Sequence, residues 1–326
     1  MDTIPDREAR LDAIRDEARA RGEVAAEGMA IAGGPLPPDA PVGYYGQPVL
    51  KAPVWTWEIP LYFAVGGIAG MAAAIAAVAS LTGADPALAG DARLVALGGA
   101  IVSPLLLISD LGRPSRFLNM LRVFKSQSPM SVGAWTLVLF SSAAAAAWLL
   151  GLPQTPPGWT PLRVVVDVVA AVLGLTLATY TGVLLGVSAV PVWTANARRL
   201  PLLFAASSLG AAISAVELFG HFTPAANVIG IAAAAGEVLF SGLAHRDGGL
   251  AGVMRDRRTR LLLLAADVVG AAIPLVLRLF AADLVAARTV AAAATIAGTV
   301  CLRYGWIAAG GVSTTDPSAA LDPAAK

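Results

Sequence analysis

Eight apolar stretches of about 18 to 25 residues divide this chain, and no other feature limits its fold as strongly. They run near 58–82, 92–109, 131–151, 163–187, 200–220, 223–243, 261–280 and 285–303. A bilayer core offers backbone N–H and C=O groups no water, so segments of this length cross it as helices that satisfy those groups internally. The expected fold class is an all-α integral membrane protein with eight transmembrane helices. Composition agrees, with 57% hydrophobic and 14% charged residues and a mean hydropathy of +0.71, outside the range of soluble domains. Pro104 and Pro274 fall inside spans, where neighbouring helices can re-satisfy freed carbonyls.

The net charge of +1 suggests no nucleic acid partner; the placement of the charges is more informative. After the second, fourth and sixth spans come Arg113, Arg116, Arg122, Lys125, Arg198, Arg199, Arg246, Arg255, Arg257, Arg258 and Arg260, eleven cations. The opposite loops hold four: Arg93, Arg163, Arg278 and Arg288. The positive-inside rule then predicts both termini in the cytoplasm; the expected location is the bacterial inner membrane, crossed several times. No apolar core precedes Glu58, so a conventional signal peptide is not expected. Residues 1–50 read as a cytoplasmic extension. It begins with a mixed-charge run that spaces Leu11, Ile14 and Ala18 as a helix does, followed by a Gly/Pro linker carrying Tyr44 and Tyr45.

Redox centres are constrained by what the chain lacks. One cysteine, Cys301, cannot ligate an iron–sulfur cluster, and two histidines, His221 and His245, make even one bis-histidine haem hard to build. No haem and no cluster are expected in this chain. Electrons, if handled, come from a partner and pass to a diffusible carrier.

The first span opens with WTWEIPLYFAVGGIAGM, which sets Glu58 at the lip of the membrane beside Trp55, Trp57 and Tyr62. A carboxylate there is costly without a partner or a task, while tryptophan rings suit the headgroup zone, as Trp135 and Trp193 also would. Gly66, Gly67 and Gly70 strip bulk from the helix and admit a neighbouring helix or a flat ligand. The loop after the second span, SDLGRPSRFLNMLRVFKSQSPMSVGAW, places Asp110 and Arg113 where they can pair across a turn. It then presents Arg116, Arg122 and Lys125 on a short amphipathic piece with Phe117, Leu118, Leu121 and Phe124. That piece reads either as a basic segment on anionic lipid or as a landing surface for a soluble subunit.

These stretches, together with YYGQPVLKAPVW before and YTGVLLGVSAVPVW after, resemble in order and spacing the NrfD/PsrC family, the membrane subunits of polysulfide-reductase-like complexes. The resemblance covers roughly residues 43–311. It implies two four-helix bundles, 51–199 and 200–311, followed by a tail over 312–326. It also implies quinone or menaquinone bound in the first bundle, close to a ferredoxin-like iron–sulfur subunit, which commonly joins a molybdopterin or tungstopterin catalytic subunit. By position in the matching motifs, Glu58, Asp110, Arg113 and Tyr180 are candidates for the site or its support. Family members often carry His or Asn near the start of the first span, where this chain has Val54, Trp55 and Glu58, so the quinone's hydrogen bonds do not transfer. The charge bias places the partner in the cytoplasm, which suits a formate dehydrogenase-like complex.

Glu58 and Tyr180 are the expected proton-exchanging and hydrogen-bonding groups, since a partly buried carboxylate can trade protons near neutral pH. Trp57, Tyr62, Asp110, Arg113, Ser131 and Trp135 are expected around the headgroup. Glu217 and His221, four apart near the outer face, with Glu237 and Asp267, could form a proton path through the last four spans; polar contact between helices is the competing reading. A proton-coupled secondary transporter and a passive membrane anchor are the alternative functions, although the motifs are concentrated in the first half and the halves show no convincing repeat.

Overall fold

The computed structural model describes residues 50, 53, 55–111, 115, 117–247 and 249–315. The predicted N-terminal helix, Tyr44, Tyr45, Arg113 and Arg116 lie outside them. Eight long helices, here α1 to α8, span Glu58–Thr82, Pro86–Asp110, Pro129–Leu150, Thr160–Gly186, Leu200–Leu218, Pro224–Asp247, Arg257–Phe280 and Val285–Thr314. All eight are long and apolar enough to cross a membrane, and the described residues contain no strand.

Local chemistry starts several of them where the sequence permits. Asp85 caps α2 by accepting the Ala87 N–H, with Pro86 at the first helical position. Ser128 and Pro129 do the same for α3, where Ser128 accepts the Ser131 N–H. Asp256 accepts the Thr259 N–H at 2.7 Å to open α7. Gly83 ends α1 in a left-handed conformation, φ 68°, that a side chain would oppose.

Two spans depart from the hydropathy pattern. α2 begins six residues before the predicted 92, because Arg93 is an internal residue of the helix and not a loop cation. Its guanidinium grips Asp167 of α4 through Nε–Oδ1 at 2.9 Å and Nη2–Oδ2 at 2.7 Å, with Ser80 of α1 hydrogen-bonded to both. α8 continues eleven residues past the predicted 303, since Arg303 is wholly buried among neighbouring helices rather than marking the membrane edge. α7 is not uniform either: Ala265–Ala272 forms a π-helical turn between two α-helical pieces.

Among the spans, α1 and α5 are the most enclosed, with 72% and 67% of their apolar windows buried against 28–44% for the others. α1 packs against α2 and α4 on one side and α5 and α8 on the other. Its glycines permit this. A Cβ at Gly70 would run into the Gly174 backbone of α4, whereas one at Gly67 would press on Ser208 of α5. α3 completes the contacts of α2 and α4, and α6 and α7 those of α5 and α8.

Candidate functional site

At the end of the molecule where α1 begins, the exposed cations Arg122, Lys125, Arg198, Arg246, Arg255, Arg257, Arg258 and Arg260 collect. At the opposite end Arg93, Arg278 and Arg288 are buried in ion pairs, and Arg163 is partly exposed. The contrast in exposed charge between the two ends is thus steeper than the residue count alone suggests.

Glu58, the first residue of α1, and Asp110, the last of α2, are brought together by Thr56. The Thr56 hydroxyl lies against the Glu58 carboxyl group and 2.6 Å from Asp110 Oδ1. One hydroxyl carries one hydrogen, so both contacts are hydrogen bonds only when a carboxyl group contributes a second. The three side chains form a unit suited to holding and passing a proton at the membrane edge. Thr56 was not a sequence candidate; a hydroxyl two residues before a lip carboxylate was the only hint of it.

About one to two turns further in, a second layer of polar groups comes from all four of the first helices. Tyr62 of α1 is buried, and so is Ser103 of α2, whose Oγ lies 3.4 Å from where a Cβ on Gly66 would be. On α4, Tyr180 lays its phenol against Gly133 of α3, a contact any side chain at 133 would block. Thr181 follows it, and Trp135 of α3 packs edge-on against Phe124 at 6.3 Å. Ser103 Oγ, Thr181 Oγ1 and Trp135 Nε1 are buried without hydrogen-bond partners among the described residues. Buried donors are seldom left so.

Other predicted residues are occupied differently. Trp57 is 56% exposed, and its backbone carbonyl accepts the Tyr304 hydroxyl of α8 at 2.7 Å. The Ser131 hydroxyl serves the loop, accepting the Lys125 N–H at 3.0 Å. Beside it, Phe124, Lys125, Ser126, Gln127 and Ser128 line a surface groove of about 330 Å³. Trp193, expected as an interfacial anchor, belongs to the core. It stacks on Trp55 at 5.4 Å and donates Nε1–H to the Trp306 carbonyl at 2.7 Å.

The polar set of the last four helices separates into three parts. Near the basic end, Asp267, on the π-helical turn, accepts the Ser241 hydroxyl at 2.5 Å and lies 3.6 Å from His245 Nε2. Farther in, Glu237 and Arg303 are both buried. At the opposite end Glu217 is clamped by Arg278, at 2.9 and 2.6 Å, and by Arg288. The expected pairing of Glu217 with His221 is absent because α5 stops at Leu218. His221 then turns to Asp91 of α2, Nε2–Oδ2 2.7 Å. Arg93, Asp167, His245 and Arg303 were not site candidates. Asp167, a carboxylate within an apolar run, was the clearest signal passed over.

Fold and site together define a polytopic helical membrane protein whose hydrogen-bonding side chains gather among the first four helices toward its basic end. A family model described as polysulphide reductase, NrfD matches residues 47–231, from just before α1 into α6 and more than half of the chain. The chain belongs to the NrfD family, membrane subunits of respiratory oxidoreductases. No curated protein matches it.

Proposed function

We propose that this chain is the quinone-reactive subunit of its complex, exchanging electrons with an iron–sulfur partner at the basic end. α1–α4 serve as one four-helix bundle and α5–α8 as a second. The observation that carries the reading is the set of donors buried at this depth, Ser103, Thr181 and Trp135, unpartnered among the described residues, with Tyr62 near Ser103 and Tyr180 against Gly133. A quinone ring presents two carbonyl oxygens, and this layer offers acceptor oxygens more donors than they need.

When bound, the quinol supplies two electrons and two protons. Tyr180 and Tyr62 orient the ring by donating to its oxygens. Gly133 keeps Tyr180 in place by leaving room for the phenol. The Glu58–Thr56–Asp110 unit relays protons between the ring and the aqueous side, outward when quinol is oxidised and inward when quinone is reduced, so the direction follows the redox poise of the partner. The exposed arginines and Lys125 support a cytoplasmic basic end with both termini on that side. They also give a ferredoxin-like subunit, linked to a molybdopterin or tungstopterin enzyme, a cationic surface.

In the second bundle, proton transfer enters at His245 and Asp267 and reaches Glu237; Glu217, held by two arginines, stands outside it. The test uses the intact complex. Glu58→Gln and Tyr180→Phe should retain assembly and lose most quinol-dependent turnover, while electron transfer from the partner's substrate to an artificial acceptor persists. Full quinol turnover in both variants would leave only a membrane anchor.

A further inference from the structure

The most unusual group in the second half is the pair Glu237 and Arg303, 2% and 0% exposed and several turns from either end of their helices. Arg303 is partly satisfied. Its Nη2 donates to the Phe204 carbonyl at 3.0 Å and to Ser208 Oγ at 2.9 Å, and its guanidinium lies 3.8 Å above the Phe204 ring. Arg303 Nε and Nη1 and Glu237 Oε1 have no hydrogen-bond partner among the described residues. The two groups nonetheless act on one another electrostatically. Beside Arg303, residue 67 of α1 is glycine: a Cβ there would clash with the Ser208 hydroxyl that accepts from Arg303 and would lie 3.8 Å from Arg303 Nη2. Ser207 of α5 hydrogen-bonds the Glu237 side chain and, at 2.9 Å, the Thr299 hydroxyl of α8.

Two charged groups removed from water cost several kcal/mol each unless their remaining hydrogen-bonding positions are filled. A carboxylate oxygen on one side and two N–H groups on the other are the partners an internal water needs, since buried waters typically make two to four such bonds. We propose that Glu237 and Arg303 form an internal water site, in which ordered water joins Glu237 Oε1 to Arg303 Nε and Nη1. The water ties α6 to α8 and gives the second half a hydrogen-bonded step deep in the membrane. A dry, aliphatic helix interface would have none. Gly67 of α1 lies against Ser208, which accepts from Arg303, so α1 borders both the candidate quinone layer and this site. The inference concerns water alone and stands whether or not quinone is the carrier.

Radiolytic hydroxyl-radical labelling of the full-length protein in lipid nanodiscs tests it, because radicals formed from bound water mark side chains that bulk solvent does not reach. Phe204, under the guanidinium, should be labelled several-fold more than Phe140, which is equally buried. Labelling of Phe204 no higher than Phe140 would overturn the water site. In Glu237→Leu, which removes both carboxyl oxygens, the Phe204 signal should fall to the Phe140 level. An unchanged signal in that variant would refute the part given to Glu237. Both readings are taken without quinone or partner subunits, so failure of the quinone proposal leaves them untouched.

Discussion

Replacing Glu217 by glutamine separates a clamp from a proton carrier. The wild-type carboxylate is completely buried and receives Arg278 Nη1 at 2.9 Å, Arg278 Nη2 at 2.6 Å and Arg288 Nη2 at 2.5 Å. Glutamine keeps the volume, but its one oxygen can accept only part of this set and it carries no charge, so two guanidinium groups share a buried site with no anion. Removing one partner of a buried ion pair costs about 3–5 kcal/mol, and here a second cation faces the same loss. Ser214 Oγ at 3.2 Å and the Thr223 carbonyl at 2.9 Å remain as acceptors and hold the loss within that range. Thermal unfolding of the purified protein in nanodiscs, followed by tryptophan fluorescence, should show Glu217→Gln melting well below wild type. Combining Glu217→Leu with Arg278→Met and Arg288→Met should recover much of the difference, because apolar replacement of a whole buried charge group is often tolerated. If Glu217→Gln melts with wild type while proton transfer by the complex is abolished, the carboxylate is a carrier and the clamp is wrong.

Gly133→Ala would drive a methyl group into the Tyr180 ring, costing about 1–3 kcal/mol as overpacking and raising the KM for quinol; Gly98→Ala, which meets nothing within 4 Å, is the control for assembly and turnover. The Thr259 backbone N–H holds the Asp256 carboxyl below the usual carboxylate range. A lowered folded pKa adds stability fully present above the unfolded value of about 3.9 and lost as pH falls through the folded one. Amide exchange at the start of α7 should therefore accelerate in that acidic window in wild type, whereas Asp256→Asn, a cap without a charge, should show no such pH step.

How far the sequence reached depended on whether a residue's partner was near in the chain. The spans were legible because hydropathy is a local property, and the lip position of Glu58 followed from its place at the start of a run. The end of α8 was not, because a scan reads Arg303 as a boundary and cannot know that Phe204 and Ser208, 99 and 95 residues earlier, receive it. Glu217 was assigned to His221 by helical spacing, but its true partners lie 61 and 71 residues away, and the helix ends before the spacing applies. Trp193 looked like an interfacial ring for the same reason: only the folded chain puts Trp55 and Trp306 against it. The donors Ser103 and Thr181 left no trace in a pattern of apolar residues, since a small hydroxyl within a span is ordinarily satisfied by its own backbone.

The π-helical turn in α7 gives that helix a fixed phase. A π turn takes in more residues than an α turn, so the segment 265–272 holds about one residue more than ordinary winding would fit between the same two ends. Asp267 sits within the turn and Arg278 after it; wound as plain α-helix, the same residues would swing Arg278 by about 100° around the axis relative to the Ser241 contact and carry its guanidinium off Glu217. The wider turn works like a slack link between two keyed ends, absorbing one residue so that both meet their partners at once.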